Sequence, residues 1–278
     1  MPIFGKFAYQ AGVSPSALLL VRFSLAAALL AMILLARPRL RRVEPAPSQS
    51  ETTSTIALSR GWVLAIAFGL GAVGYAVPAG LYFTALQHMD ASLLSLILYS
   101  YPVLVTVTAV LLGRERLTPG RGVALVAASG GILLVLLGAG EMRFQSVGVL
   151  LAFGAAVVYT SYILISHTVV HRLSPVVLST LVMTGAAATY GVQAVATGGV
   201  DLSFELSGWF WLTCLAVIST GLAMLALFAG LRRTGPSTTA ILSTFEPVVT
   251  TALATLTSPL AAAVRRVRQA ARWRFCCR

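Results

Sequence analysis

The chain has 278 residues, of which 58% are hydrophobic and only 10% charged, and it carries a net charge of +12. Soluble domains carry about 25% charged residues, so this composition excludes a polar-surfaced globular domain and points to an all-α polytopic membrane helix bundle. The basic excess falls between apolar runs and in the last 21 residues, not on an aromatic-interleaved face, which argues against a nucleic-acid partner.

The first ten residues, MPIFGKFAYQ, read as part of a span too short to cross alone, without the basic start and cleavage site of a signal peptide. Apolar runs then follow at about 15–36, 61–86, 91–112, 122–139, 147–166, 175–197, 208–231 and 236–257. Most are close to the roughly 20 residues a spanning helix needs, so eight complete spans are expected. Ser14-Pro15 and Ser174-Pro175 open two of them, and Thr118-Pro119 opens a third. At Thr118-Pro119, threonine reads as the N-cap with proline at the first helical position. The longest connection, 37–60, is polar and proline-bearing. Three cysteines, Cys214, Cys276 and Cys277, have no zinc or disulfide spacing.

Arginine sorts the connections into two sides. Those at 37–60, 113–121, 167–174 and around LRRTGPS hold 11 arginines: Arg37, Arg39, Arg41, Arg42, Arg60, Arg114, Arg116, Arg121, Arg172, Arg232 and Arg233. The opposite set holds only Arg143. By the positive-inside rule the first set is cytoplasmic.

The chain also repeats itself. Shifted by 145 residues, YFTALQHMDASLLSLILYSYPVLVTVTAVL (82–111) lies without a gap over LFAGLRRTGPSTTAILSTFEPVVTTALATL (227–256), matching at eight positions that include Pro102 and Pro247. A shift of 160 lays Ser14-Pro15 on Ser174-Pro175. The loop QHMD falls outside by the arginine pattern and its partner LRRTG inside, as a repeat with an odd number of crossings requires. Inverted repeats mark secondary transporters with a binding site near the membrane midplane.

In these residues, with LLLVRFSLAAALL in the first run and GRERLT after Leu112, the sequence resembles the EamA-type drug/metabolite transporter superfamily over nearly its whole length. The resemblance implies ten helices in two inverted five-helix repeats, both ends in the cytoplasm, and transport of small metabolites, commonly efflux. On that frame residues 1–140 form the first repeat with an incomplete first helix, 141–257 the second without its last helix, and 258–278 a basic tail outside the family pattern. A multi-pass cell-membrane location, in a bacterial inner membrane, is expected. The partners are an unidentified small-molecule substrate and the lipid bilayer, and a homodimer is compatible with this class.

Glu246 is the sharpest candidate for function, because an ionisable group mid-span is costly and faces the bundle interior or a polar path. It reads either as a proton- or substrate-binding carboxylate or as a structural glutamate held by a neighbouring helix. Pro247 beside it, and Pro102 in the first repeat, remove backbone hydrogen bonds and break their helices. Arg22, about two turns inside its run, reads as a partner of Glu246, as a site for an anionic substrate, or as a side chain snorkelling to headgroups. Tyr101 is the repeat partner of Glu246. With Tyr75, Tyr99, Tyr159 and Tyr162, which lie within spans, it completes the set of candidate transport-path residues; helix packing is the simpler reading for any one of them. Trp62, Trp209 and Trp211 belong to interfacial belts, and Gly69, Gly71, Gly74, Gly130 and Gly131 allow close helix approach. Glu115, among arginines, reads as a local salt bridge and loop anchor. His88, His167 and His171 lie at membrane edges without metal-ligand spacing. No catalytic, metal or cofactor-binding constellation is present. An intramembrane enzyme, the alternative from another class, needs a paired acid and base.

The tail breaks the pattern. On the 145-residue register Glu115 falls on Leu260, and an apolar helix is due after it. In its place stand Arg265, Arg266, Arg268, Arg272, Arg274 and Arg278. A frameshift near residue 257, in DNA whose coding uses 19 arginines and one lysine, is the expected origin, which leaves a truncated, nonfunctional transporter as the alternative function. A basic helix lying on the membrane surface is the other reading of the tail.

The arginine pattern predicts that cysteines introduced at Ser48 and Gln87 react with impermeant reagents from opposite sides of the membrane. Labelling of both from one side would overturn the inverted topology.

Overall fold

The computed structural model describes residues 8, 11–41, 59–85, 88–89, 91–116, 118–137 and 146–246. Glu246 is the last of them, so Pro247, the end of the last apolar run and the arginine tail lie outside the described residues.

All regular structure among the described residues is helical. Helix α1 (Pro15–Ala36) starts where Ser14, with extended backbone, accepts a hydrogen bond on its hydroxyl from the Ala17 N–H at 3.2 Å. Proline at the next position loses nothing there, because the first helical N–H groups have no intrahelical partner. Helix α2 begins at Arg60–Gly69, passes through a π-helical stretch, Leu70–Tyr75, and continues as Ala76–Ala85. The apolar run at 91–112 forms two helices, α3 (Ala91–Leu98) and α4 (Tyr101–Leu111), separated by a turn at Tyr99 and Ser100. Pro102 stands in the first turn of α4, where its missing N–H is harmless. Helix α5 (Pro119–Leu137) starts beside Thr118, whose hydroxyl accepts from the Arg121 N–H.

Four more helices follow among the described residues. Helix α6 (Ser146–Val170) precedes α7 (Pro175–Ala196), which Ser174 caps from its side chain as Ser14 caps α1. Helix α8 comprises Leu206–Cys214, a π-helical stretch at Leu215–Leu222, and Ala223–Thr234. Gly235 turns the chain with φ of +81°, and α9 (Pro236–Ser243) follows. Leu215 opens its π stretch 145 positions after Leu70 opens the first, on the register read from the sequence.

Five helical segments among the described residues are long and apolar enough to cross a membrane: Pro15–Ala36, Arg60–Tyr82, Ser146–Val170, Pro175–Ala196 and Leu206–Thr234. Of the other three expected spans, the 91–112 run is divided by its internal turn, the 122–139 run is described as α5 to Leu137, and the 236–257 run is described only to Glu246.

Helices α1 and α7 pack against each other at the centre of the bundle. Each also packs on the π stretch of the opposite half, α1 on that of α8 and α7 on that of α2. Phe23, Tyr162, Phe228 and Met183 are among the largest fully buried side chains. Outward-facing side chains are apolar as well: Leu35, Leu111, Val195 and Leu206 are all more than 70% exposed. That is the inverse of a water-facing surface, and hydrocarbon is the solvent that suits it.

Glycine decides how closely α2 and α7 meet. A side-chain carbon at Gly71 would overlap the carbonyl of Val182, and one at Gly185 would overlap the carbonyl of Phe68. Gly74 gives way to the ring of Tyr162. Gly69, Gly130 and Gly131, expected to act in the same way, have no described atom within 4 Å of such a carbon. Gly71→Ala is therefore expected to cost about 1–3 kcal/mol by overpacking, and Gly69→Ala close to nothing. Denaturant unfolding of the purified protein in detergent, followed by tryptophan fluorescence, checks this, and equal losses would contradict the packing.

Candidate functional site

Three of the tyrosines singled out from the sequence come from different elements and meet in the middle of the bundle. Tyr75 ends the π stretch of α2, Tyr101 opens α4, and Tyr162 lies on α6 with Tyr159 one turn before it. Tyr159 and Tyr162 stack with centroids 5.6 Å apart and an interplanar angle of 18°. Tyr75 lies 5.7 Å from Tyr162, and Tyr101 meets Tyr159 edge-on at 4.9 Å. Tyr99, in the turn between α3 and α4, extends the row to 6.2 Å beyond Tyr101. Edge-on and offset arrangements of this kind match the quadrupoles of the rings.

The row continues to the other side through residues the sequence reading did not single out. Phe23 of α1 lies 5.5 Å from Tyr75, edge-on, and stacks on Tyr190 of α7 at 5.5 Å. Phe228 of α8 closes on Tyr162 at 6.4 Å. Tyr190 was legible by the same rule that picked out the other tyrosines, since it too is a hydroxyl-bearing ring in the middle of an apolar run. Phe23 and Phe228 carry no polar atom and give no such signal.

Several of these polar groups support the backbone. The Tyr190 hydroxyl donates to the carbonyl of Ala76 at 3.1 Å, and the Thr189 hydroxyl donates to that of Ala72 at 2.8 Å. Both carbonyls lie in or just beyond the π stretch of α2, where the regular ladder is disturbed. In α8 the Thr220 hydroxyl donates to the carbonyl of Leu215, within the second π stretch. The Tyr162 hydroxyl meets the Met224 sulfur at 3.8 Å.

Arg22 is buried, with 7% of its surface exposed, so it does not reach for headgroups. Its guanidinium carbon lies 4.4 Å from the centroid of Phe23, a cation–π geometry, and its charge acts on Tyr75 and Tyr190. Glu246 is exposed among the described residues, and its charge acts on Tyr75, Tyr82, Tyr99, Tyr101 and Tyr159. Tyr75 is thus within electrostatic reach of both charges. The bundle brings Arg22 and the five candidate tyrosines together, four of them within the field of Glu246; Pro247 lies outside the described residues.

Glu115 forms a second polar junction at the edge of the bundle. One carboxylate oxygen pairs with Arg121 at 3.2 Å, and the other accepts from the Ser237 N–H at 3.4 Å. A side chain at Gly235 would collide with this carboxylate. Glu115 therefore caps the start of α9, where exposed N–H groups favour an anion. Arg114 beside it donates to the carbonyl of Leu164 on α6 at 2.8 Å.

An all-helical, apolar-faced bundle with buried charge and a hydroxyl-rich interior defines an integral membrane protein. Residues 1–137 and 146–258 match the EamA-like transporter family, and the chain belongs to that family. It is 27% identical over 256 residues to the "Uncharacterized transporter YcbK" of Bacillus subtilis (strain 168), covering 89% of this chain and 77% of that protein. A protein solved by crystallography shares the fold with a TM-score of 0.71 at 22% identity, over 88% of this chain and 80% of its own.

Glu115→Ala is expected to cost about 1 kcal/mol, and Arg121→Ala less, because only the former removes the cap of α9 together with the ion pair. Thermal unfolding of both variants in detergent measures the difference. Equal losses would leave the cap without a stabilising role.

Proposed function

We propose that this chain is a secondary transporter that moves a small metabolite outward across the inner membrane of a bacterium. The observation that carries this reading is the tyrosine row, drawn from both family segments, that lies beside buried Arg22 and within the field of Glu246. Charged groups inside a bilayer are costly and are kept where they bind or relay something. In this reading Arg22 receives an anionic group of the substrate, Glu246 exchanges a proton or receives a cationic group, and the tyrosine hydroxyls line the route between them.

Alternating access through inverted repeats fits the matched features of the two halves. Two π stretches stand 145 residues apart, two Ser-Pro caps open equivalent helices, and each central helix packs on the π stretch of the other half. Rocking of one half against the other about α1 and α7 exposes the row to each side in turn. The packed rings then form the closed part of the path, and the turn at Tyr99 and Ser100 supplies the irregular backbone that such sites use.

A truncated, inactive form is the second reading, favoured by the six arginines from Arg265 onward where the repeat calls for an apolar helix. Reconstitution into proteoliposomes separates the two. Flux of amino acids, nucleosides or toxic analogues, first identified by growth protection, is expected from the wild-type chain. Glu246→Gln is expected to lower that flux at least tenfold with unchanged protein yield, since it removes the charge and keeps the shape. Normal flux in Glu246→Gln would make the carboxylate structural, and absence of any wild-type flux would favour the inactive form.

A further inference from the structure

Away from the tyrosine row, a partly open cleft of about 660 Å³ lies between the end of α1, the start of α2 and the start of α7. Its volume falls in the roughly 300–1,000 Å³ range of small-molecule sites. Leu34, Leu35, Val63 and Leu64 give it an apolar lining, the floor, and Arg60 and Arg172 line it beside them, as its rim. No carboxylate is among the described residues that line it.

The charged side chains among the described residues that line it are both cationic. Arg60 is the first residue of α2, and Ser59 before it makes no side-chain cap, so the first N–H groups of that helix lack this partner. Arg172 precedes the capped start of α7 by three residues, and it also interacts within the chain. Two cationic side chains and residues from the starts of two helices, where the helix dipole is positive, therefore line one cleft. The floor is of the opposite character. Leu35, 72% exposed, carries it out onto the apolar outer face of α1. A soluble anion satisfies the rim and leaves this floor wet. A molecule with a phosphate head and a hydrocarbon tail satisfies both.

We propose that this cleft binds an anionic phospholipid, with its headgroup phosphate held between Arg60 and Arg172 and its upper acyl chain lying on the leucine and valine floor. The site is separate from the proposed transport path and does not depend on it. Basic pockets between helices at the membrane edge recognise anionic headgroups in this way, at about 1 kcal/mol per basic residue.

The test uses the full chain purified in detergent and titrated with dioleoylphosphatidylglycerol or dioleoylphosphatidylcholine. Retained lipid is read by native mass spectrometry and stabilisation by the melting temperature. The phosphatidylglycerol is expected to be retained preferentially and to raise the melting temperature, and Arg60→Gln with Arg172→Gln is expected to weaken its retention roughly 30-fold. Leu64→Trp, which fills the floor and leaves both arginines in place, is expected to displace it as well. Three results would overturn the proposal: equal retention of the two lipids, undiminished retention in both variants, or full stabilisation by inorganic phosphate alone.

Discussion

Every part of this bundle answers to one constraint: in hydrocarbon, a backbone N–H or carbonyl has no water to turn to. Helices meet that constraint within a segment, which is why the described regular structure is helical throughout. Where the ladder is disturbed, side-chain hydroxyls donate to its carbonyls. Thr189 and Tyr190 of α7 reach the carbonyls of Ala72 and Ala76 in α2, and Thr220 serves its own π stretch in α8. These bonds also fix the position of α7 on α2, so satisfying the backbone and choosing the packing partner are a single event.

Close approach follows from the same need. A hydroxyl on α7 reaches a carbonyl on α2 only if the two backbones nearly touch, and Gly71 with Gly185 makes that approach. Without a hydrophobic drive between helices in lipid, such van der Waals contact and interhelical hydrogen bonding are what hold them together. The aromatic row then fills the wider space left between α1, α4, α6 and α8. Small residues bring helices together at one level, and large rings keep them apart at another.

Charge is placed by the same accounting of solvent. Most of the described arginines stand at or near helix ends, and Glu115 uses two of its acceptor sites to tie Arg121 to the start of α9. Arg22 is the exception, buried over an aromatic face and within the field of two tyrosines. A guanidinium is weakly hydrated for its charge, which makes it the cation best suited to such a site. The charge of Glu246 acts on Tyr75, Tyr99, Tyr101 and Tyr159 of the same row.

The sequence by itself determined the class of protein and much of its order along the chain. A run of about 20 apolar residues has one inexpensive structure in lipid, and Ser14-Pro15 and Ser174-Pro175 start helices by local chemistry alone. The family resemblance was likewise legible, in the spaced prolines, glycines and arginines. The candidate tyrosines were legible one at a time, as hydroxyls out of place in hydrocarbon. What only the tertiary structure decided is which of them meet, because an apolar run shows no preferred face when lipid and core are equally apolar. For that reason Gly71 could not be told from Gly69, nor Phe23 and Phe228 from any other buried ring. The inward position of Arg22 was decided in the same way, by the neighbours that α7 and α2 bring to it rather than by its place in α1.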